Sequence, residues 1–239
     1  MDGKGIIYYT DNLLSDPPFT LVQKLILKAG LPITSCSLQP IAFGNNVVVE
    51  DERCYTTMVR QIIMALDNAI EKYVFFCEHD VLYSKSHFDF TPPRDDIYYY
   101  NTNNWRWRMG NDKAVKYDRM ISLSGLCVNR ELALKHYRLR LKTILDKGFD
   151  KIQSKEPAWA RKMGYEPGTK KKKRGGLTDE DFETWESELP NIDIRHDGTF
   201  SPPKVTLDSF KHLPTNWQEI EIDELPGWNL RKLFLWPSI

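Results

Sequence analysis

The chain has 239 residues, long enough for a domain whose hydrophobic core needs no disulfide, and its 33 Lys and Arg offset 33 Asp and Glu. A formal net charge of zero excludes nucleic acid or an anionic membrane as a partner held by bulk charge alone. The four cysteines, Cys36, Cys54, Cys77 and Cys127, form no C-x-x-C pair, which argues against a zinc knuckle and for small core thiols in a reducing, cytoplasmic setting.

The start, MDGKGIIYYT, has no long apolar stretch and so no visible signal peptide, and no apolar run approaches the about 20 residues a membrane span needs. Gly5 to Thr10 reads as a first strand. A loop rich in Asp, Asn and Pro follows, with Pro18 suited to the start of a helix over Phe19 to Lys28 that Gly30 ends. Ile33 to Leu38 is a second strand. The apolar spacing of Met58, Ile62, Ala65, Leu66 and Ala69 predicts a helix over Asp51 to Lys72. Tyr73 to Cys77 is a dense apolar run with the character of a buried central strand.

This β-α-β-α-β order predicts an α/β fold with a mostly parallel, Rossmann-like sheet flanked by helices. In such sheets ligands bind beyond the carboxyl ends of the strands, here after Thr10 and Cys77. Further strands are expected over Ile97 to Asn101 and Met120 to Val128, and a helix over Arg130 to Lys147 closed by Gly148. The basic run KKKKRGG, residues 170–176, reads as a loop, and Leu177 to Glu188 as an acidic amphipathic helix capped by Thr178. A strand over Asn191 to Ile194 runs out at His196. Residues 1–200 are expected to form the domain and 201–239 an extension packed on it, with GWNLRKLFLWPSI as a docking helix or, alternatively, a peripheral membrane contact.

The strongest chemical signal is FFCEHDVLY, residues 75–83. On an extended segment Glu78 and Asp80 point to one side, and two carboxylates there call for a cation. A hard divalent ion shared with the phosphates of a nucleotide meets that need. The competing reading is an acidic strand end paired with Lys or Arg. His196 is a candidate third ligand, against a loop histidine with a structural hydrogen bond. His79, between the acids, is expected to point the other way. In LTDEDFETWES, Asp181 is the first candidate for a general base, with Glu180 or Asp179 in reserve. The same acids also suit the first turn of a helix.

Thr10, Asp11 and Asn12 sit where a nucleoside could rest, or make a turn and helix cap. Arg60 either reaches a diphosphate or lies on a solvated helix face. Ser124 and Gly125 would bring backbone close to a donor sugar. Trp105 and Trp107 either stack on a ring or fill the core, with Arg106 and Arg108 alternating between and after them.

Taken together, strand, helix, strand, long helix and then FFCEHDVLY resemble the GT-A fold of family-2-like glycosyltransferases over roughly residues 4 to 200. EHD looks like a variant of their D-x-D metal motif, and EHDVLYSKSHFDF with IDIRH is similar to a set of bacterial and viral proteins labelled glycosyltransferases. SGLCVNREL resembles the segment on the acceptor side of their pocket. TDEDFETW resembles the acidic segment that carries their catalytic base, Glu180 and Asp181 here, and His196 their late metal-binding histidine. Two departures stand out: the metal motif opens on Glu, and no acid closes the second strand (SLQP), where many relatives hold the nucleotide base.

The resemblance implies a hexosyltransferase-type enzyme that uses Mn2+ or Mg2+. It would move a sugar from a nucleotide-diphosphate sugar to a hydroxyl acceptor, a saccharide or a modified nucleic acid, with inversion. A nucleotidyltransferase on a related sheet is an alternative, but YYTDNLLSDPP lacks its glycine-rich phosphate loop. A nucleic-acid-directed protein, binder or DNA-base glycosyltransferase, would use KKKKR and the Trp/Arg stretch.

Overall fold

The computed structural model describes residues 3–15, 17–118, 120–147, 163, 166–174, 176–199 and 203–234. Four parallel strands come first in space: β1 (Lys4–Thr10), β2 (Ile33–Ser37), β3 (Asn45–Val48) and β4 (Tyr73–Glu78). With β6 (Ile97–Asn101), β9 (Leu126–Asn129) and β10 (Asp181–Trp185) they make a seven-stranded sheet in the order β10-β6-β9-β4-β1-β2-β3. Only β9 runs against its neighbours.

Helix α1 (Pro18–Leu27) covers one face of this sheet, and α2 (Tyr55–Asn68) and α3 (Arg130–Lys147) cover the other. The strands divide their side chains by alternation: Ile6, Tyr8, Phe75 and Cys77 join the core with Val22 and Ile26 of α1. Ile7, Tyr9, Val74 and Phe76 pack on Ile62 and Leu66 of α2 and Tyr137 of α3. The chain is thus an α/β fold with a mostly parallel sheet flanked by helices.

A second sheet lies over the α1 face. It contains β5 (Val81–Leu82), β7 (Asn104–Arg108), β8 (Lys113–Lys116), β11 (Asn191–Arg195) and β12 (Gln218–Glu221), in the order β12-β8-β7-β11-β5. Trp105, Trp107, Ile192 and Ile194 close the core beneath it. The two tryptophans are therefore packing residues, and the Trp107 indole N–H donates to the Asn111 carbonyl at 2.8 Å. From the region after residue 200, β12 pairs with β8, and Leu230 of the short helix α4 (Leu230–Leu233) is buried in the same core. Among the described residues no helix is long and apolar enough to cross a membrane.

Several elements differ from expectation. Residues 177–188 are not a helix: Asp181–Trp185 pairs parallel with Ile97–Asn101, because Phe182, Thr184 and Trp185 favour an extended edge strand and pack on both faces. Thr178 caps nothing there; its hydroxyl donates to Glu180 at 3.2 Å. The helix expected over 51–72 is shorter at both ends, since residues 51–54 form a loop tied by Asp51 to Arg60 and Ile70 is left exposed. The strand expected from Met120 starts only at Leu126, after a 3-10 turn over Leu123–Gly125. The basic run holds a 3-10 turn over Lys172–Arg174, with Lys171 paired to Asp181 and Lys172 to Asp179. The Gly148 stop and the tail beyond residue 234 lie outside the described residues.

Candidate metal centre

The E-H-D segment is where the chain changes sheets. β4 ends at Glu78, His79 and Asp80 turn, and β5 begins at Val81, pairing antiparallel with β11. The Ile194 N–H donates to the Asp80 carbonyl at 2.8 Å, so the end of β11 is laced to this turn. That stitch brings His196, just past β11, back over Asp80.

Donor atoms of His79, Asp80 and His196 all lie within 4.8 Å of one another. The His196 Nε2 is 3.5 Å from an Asp80 carboxylate oxygen, buried, and without a hydrogen-bond partner. An orphaned buried ring nitrogen beside a carboxylate and a second imidazole is a donor set that fits a divalent cation. Burial pushes the Asp80 carboxyl up, but the His196 and His79 imidazoles and the Arg195 guanidinium outweigh it and hold it below the usual carboxylate value.

His79 corrects the sequence expectation. Residues 79 and 80 form a turn, so the period-two alternation that would send His79 away does not apply. Its Nε2 lies 3.8 Å from Asp11 Oδ1, facing the same cleft. Glu78 also faces the cleft but stands outside the three-residue cluster. Its carboxyl accepts the Tyr9 hydroxyl at 2.6 Å, and burial together with the Asp80 charge pushes it well above the usual carboxylate value.

The cleft opens beyond the carboxyl ends of β1 and β4. Thr10 and Asp11 line it, as does Leu38 after β2 and, from the first turns of α2, Thr57, Met58 and Gln61. Asn12 does not face in. It sits at φ 60°, and its side-chain oxygen accepts the Leu38 and Gln39 N–H groups at 2.8 and 3.0 Å, joining the two loops.

Other expected site residues lie elsewhere. Arg60 pairs with Asp51 and does not line the cleft. Ser124 is buried against Ser122, and Gly125 is needed by its neighbours: a Cβ there would meet the Asn101 carbonyl oxygen at 2.8 Å. Asp181 opens β10 opposite Ile97, at the amino ends of the parallel strands, and pairs with Lys171. Glu180 binds His136 at 2.6 Å. Neither acid lines the cleft, so the expected base is not brought to the metal trio.

Two arginines missed in the sequence do line it. Arg195, the last residue of β11, pairs with Asp193 at 3.1 Å. Arg53 lies in the loop before α2. In an α/β unit the start of a crossover helix sits at the carboxyl edge of the sheet, so the cation preceding α2 was the better nominee than one inside it.

No family model matches the chain, and no curated protein matches it. Among solved structures, the chain is similar to a glycosyltransferase involved in glycosylation of the major capsid of PBCV-1, at 10% identity and a TM-score of 0.46, covering 82% of this chain and 94% of that one. It is also similar to the bifunctional IspDF from Campylobacter jejuni, at 10% identity and a TM-score of 0.42, covering 87% of this chain and 53% of that one. A third likeness is to the catalytic domain of Drosophila beta1,4-galactosyltransferase 7 in complex with xylobiose, at 11% identity and a TM-score of 0.39, covering 76% of this chain and 65% of that one.

Proposed function

We propose that this protein is a metal-dependent glycosyltransferase that uses a nucleotide-diphosphate sugar and a hydroxyl acceptor. The observation that carries the reading is the convergence of His79, Asp80 and His196 within 4.8 Å at the carboxyl edge of a mostly parallel sheet. The resemblance of the E-H-D and I-D-I-R-H segments to the GT-A pattern points the same way.

In this reading His79, Asp80 and His196 hold the cation, and Glu78 borders the site, hydrogen-bonded to Tyr9. A divalent ion there would offset charge on a departing diphosphate. Leu38 and Met58 offer apolar walls near the exits of β1 and β2, and Thr10 and Asp11 offer polar contacts, which suits a nucleoside. Tyr9 donates to the Glu78 carboxyl, and Gln61 donates to the Thr10 carbonyl at 2.8 Å, so side chains at the floor of the cleft are hydrogen-bonded in place. The acceptor hydroxyl still needs a base, and Glu180 and Asp181 are already engaged with His136 and Lys171.

The test is a panel of UDP-, GDP- and CMP-sugars with manganese, read by thermal shift and by slow release of free sugar. The expected result is stabilisation by one nucleotide class only when metal is present. If no nucleotide sugar binds at any metal concentration, the proposal fails.

A further inference from the structure

Arg53 holds two walls of the cleft together. Its Nε donates to Asp11 Oδ2 at 2.5 Å, on the loop after β1, and its Nη2 donates to the Gly198 carbonyl at 2.6 Å, on the turn after His196. The partner carboxylate also reaches the metal trio, because Asp11 Oδ1 stands 3.8 Å from His79 Nε2. The Arg53 side chain is only 28% exposed, and it lines the cleft. The clasp thus sits one carboxylate away from the cation ligands.

Charge decides what such a clasp is for. In the cleft Arg195 is matched by Asp193, and Arg53 by Asp11. The trio itself supplies one carboxylate, Asp80, against a doubly charged ion. Once loaded, the trio carries excess positive charge and calls for an anion. A planar guanidinium is suited to phosphate oxygens, which it binds through paired N–H donors; the Gly198 carbonyl it holds is a neutral acceptor, and Asp11 also faces His79.

We propose that Arg53 is the oxyanion-binding residue of this site: it exchanges the Gly198 carbonyl for the diphosphate oxygens of the ligand. The inference rests on the reading that His79, Asp80 and His196 hold a divalent cation. It makes Arg53 a substrate-binding residue in its own right and Asp11 the residue that positions it. No bond is made or broken; one charge-assisted contact replaces another.

The experiment compares wild type, Arg53→Ala and Arg53→Lys, each checked for cooperative unfolding. Manganese affinity is measured alone, and then the affinity for inorganic pyrophosphate at saturating manganese. The expected result is unchanged manganese binding with pyrophosphate affinity at least about tenfold weaker in Arg53→Ala, the size expected for losing a charge-assisted contact. Arg53→Lys should lie between, since it keeps the charge and loses the fork. Pyrophosphate binding as tight as wild type in Arg53→Ala overturns the proposal. So does a parallel fall in manganese affinity, which marks Arg53 as a structural latch, and so does wild type that binds no pyrophosphate. Should wild type bind pyrophosphate through Arg53 yet bind no nucleotide sugar, the glycosyltransferase reading fails and the oxyanion site stands. Arg53→Lys answers the question if Arg53→Ala does not fold.

Discussion

His136 Nδ1 lies 2.6 Å from Glu180 Oε2, on a histidine that α3 buries completely. The ring's other nitrogen faces Arg140 Nη2 at 3.1 Å. A guanidinium only donates, so His136 Nε2 accepts from it and Nδ1 carries the proton that goes to Glu180. Glu180 thus belongs to a buried network with His136 and Arg140, and burial of its carboxyl is outweighed by the His136 contact, which keeps it below the usual glutamate value. Replacing Glu180 by Gln should cost about 1–3 kcal/mol of stability, because a buried N–H loses its charged acceptor. Asp181→Asn should cost under about 1 kcal/mol, since the Lys171 pair is half-exposed. Both variants should retain manganese-dependent nucleotide binding and turnover. Chemical denaturation and a sugar-release assay check this; a folded Glu180→Gln protein without turnover would return that carboxylate to the chemistry.

Acid should destabilise the protein through two buried histidines. His136 is held below the ordinary histidine value, chiefly by burial and further by Arg140, with Glu180 opposing. Burial alone takes His87 down to about 3, in a pocket of Phe75, Phe88 and Trp185 where Asn101 Nδ2 meets its Nδ1 at 3.0 Å. In both cases the unfolded chain binds a proton near pH 6.5 that the native protein refuses. Stability is therefore complete above about pH 6.5 and falls as the pH drops, by up to about 1.4 kcal/mol per unit for each histidine. Urea midpoints at pH 7, 6 and 5 measure the slope, and His87→Phe should flatten it by close to one proton. A flat wild-type profile would mean that these rings accept protons in the native state.

The parallel order of β1, β2 and β4 and the edge at which the cleft opens were legible, because dense apolar runs and a period-3.6 helix leave little choice of layer. The region after residue 95 was harder. Asp181–Trp185 reads as acidic helix when taken alone; its strand form depends on β6 lying beside it, a partner more than eighty residues away. The same non-local cause decides which side chains gather at the cleft. Glu78 and Asp80 are two apart in sequence, and alternation joins them, yet the change of sheet at His79 breaks the alternation and trades Glu78 for His79 in the cluster. His196 and Asp80 come together through the β5–β11 pairing and the Ile194 to Asp80 backbone contact that continues it. Arg60 sat on the expected helix, but Asp51 takes it, while Arg53 in the preceding loop reaches the cleft.

Gly198 should matter for the cation more than for the fold. Its N–H donates to His196 Nδ1 at 3.2 Å, so the neutral ring carries its proton on Nε2 and an ion bound there must displace it, and a Cβ added at residue 198 would stand 3.1 Å from both Nδ1 and Cε1 of that ring. The imidazole would have to tilt, moving Nε2 relative to Asp80. Gly198→Ala is expected to weaken manganese binding about tenfold, as small displacements of ligand supports do, while changing stability by less than about 1 kcal/mol. Calorimetric titration beside thermal denaturation separates the two; unaltered metal affinity would show that the ring has room to spare.

The identity of the donors decides which metal is preferred. Magnesium asks for six oxygens at near-ideal octahedral geometry and surrenders its waters reluctantly. The cluster offers one carboxylate and two imidazoles, a set that suits manganese, cobalt or zinc better. Of the two ions expected from the sequence, manganese is therefore the one the side chains fit. Titration should give manganese at least about tenfold tighter than magnesium, and tighter still for cobalt and zinc, following the usual order of divalent affinities. His79→Ala should remove most of that preference, because what remains is a single imidazole with Asp80, whereas Glu78→Gln should leave it largely intact, Glu78 standing outside the cluster and bound to Tyr9. Equal affinity for magnesium and manganese in wild type, or a His79→Ala protein with unchanged selectivity, would mean that the ion is held by oxygens and that the two imidazoles stand beside it as bystanders.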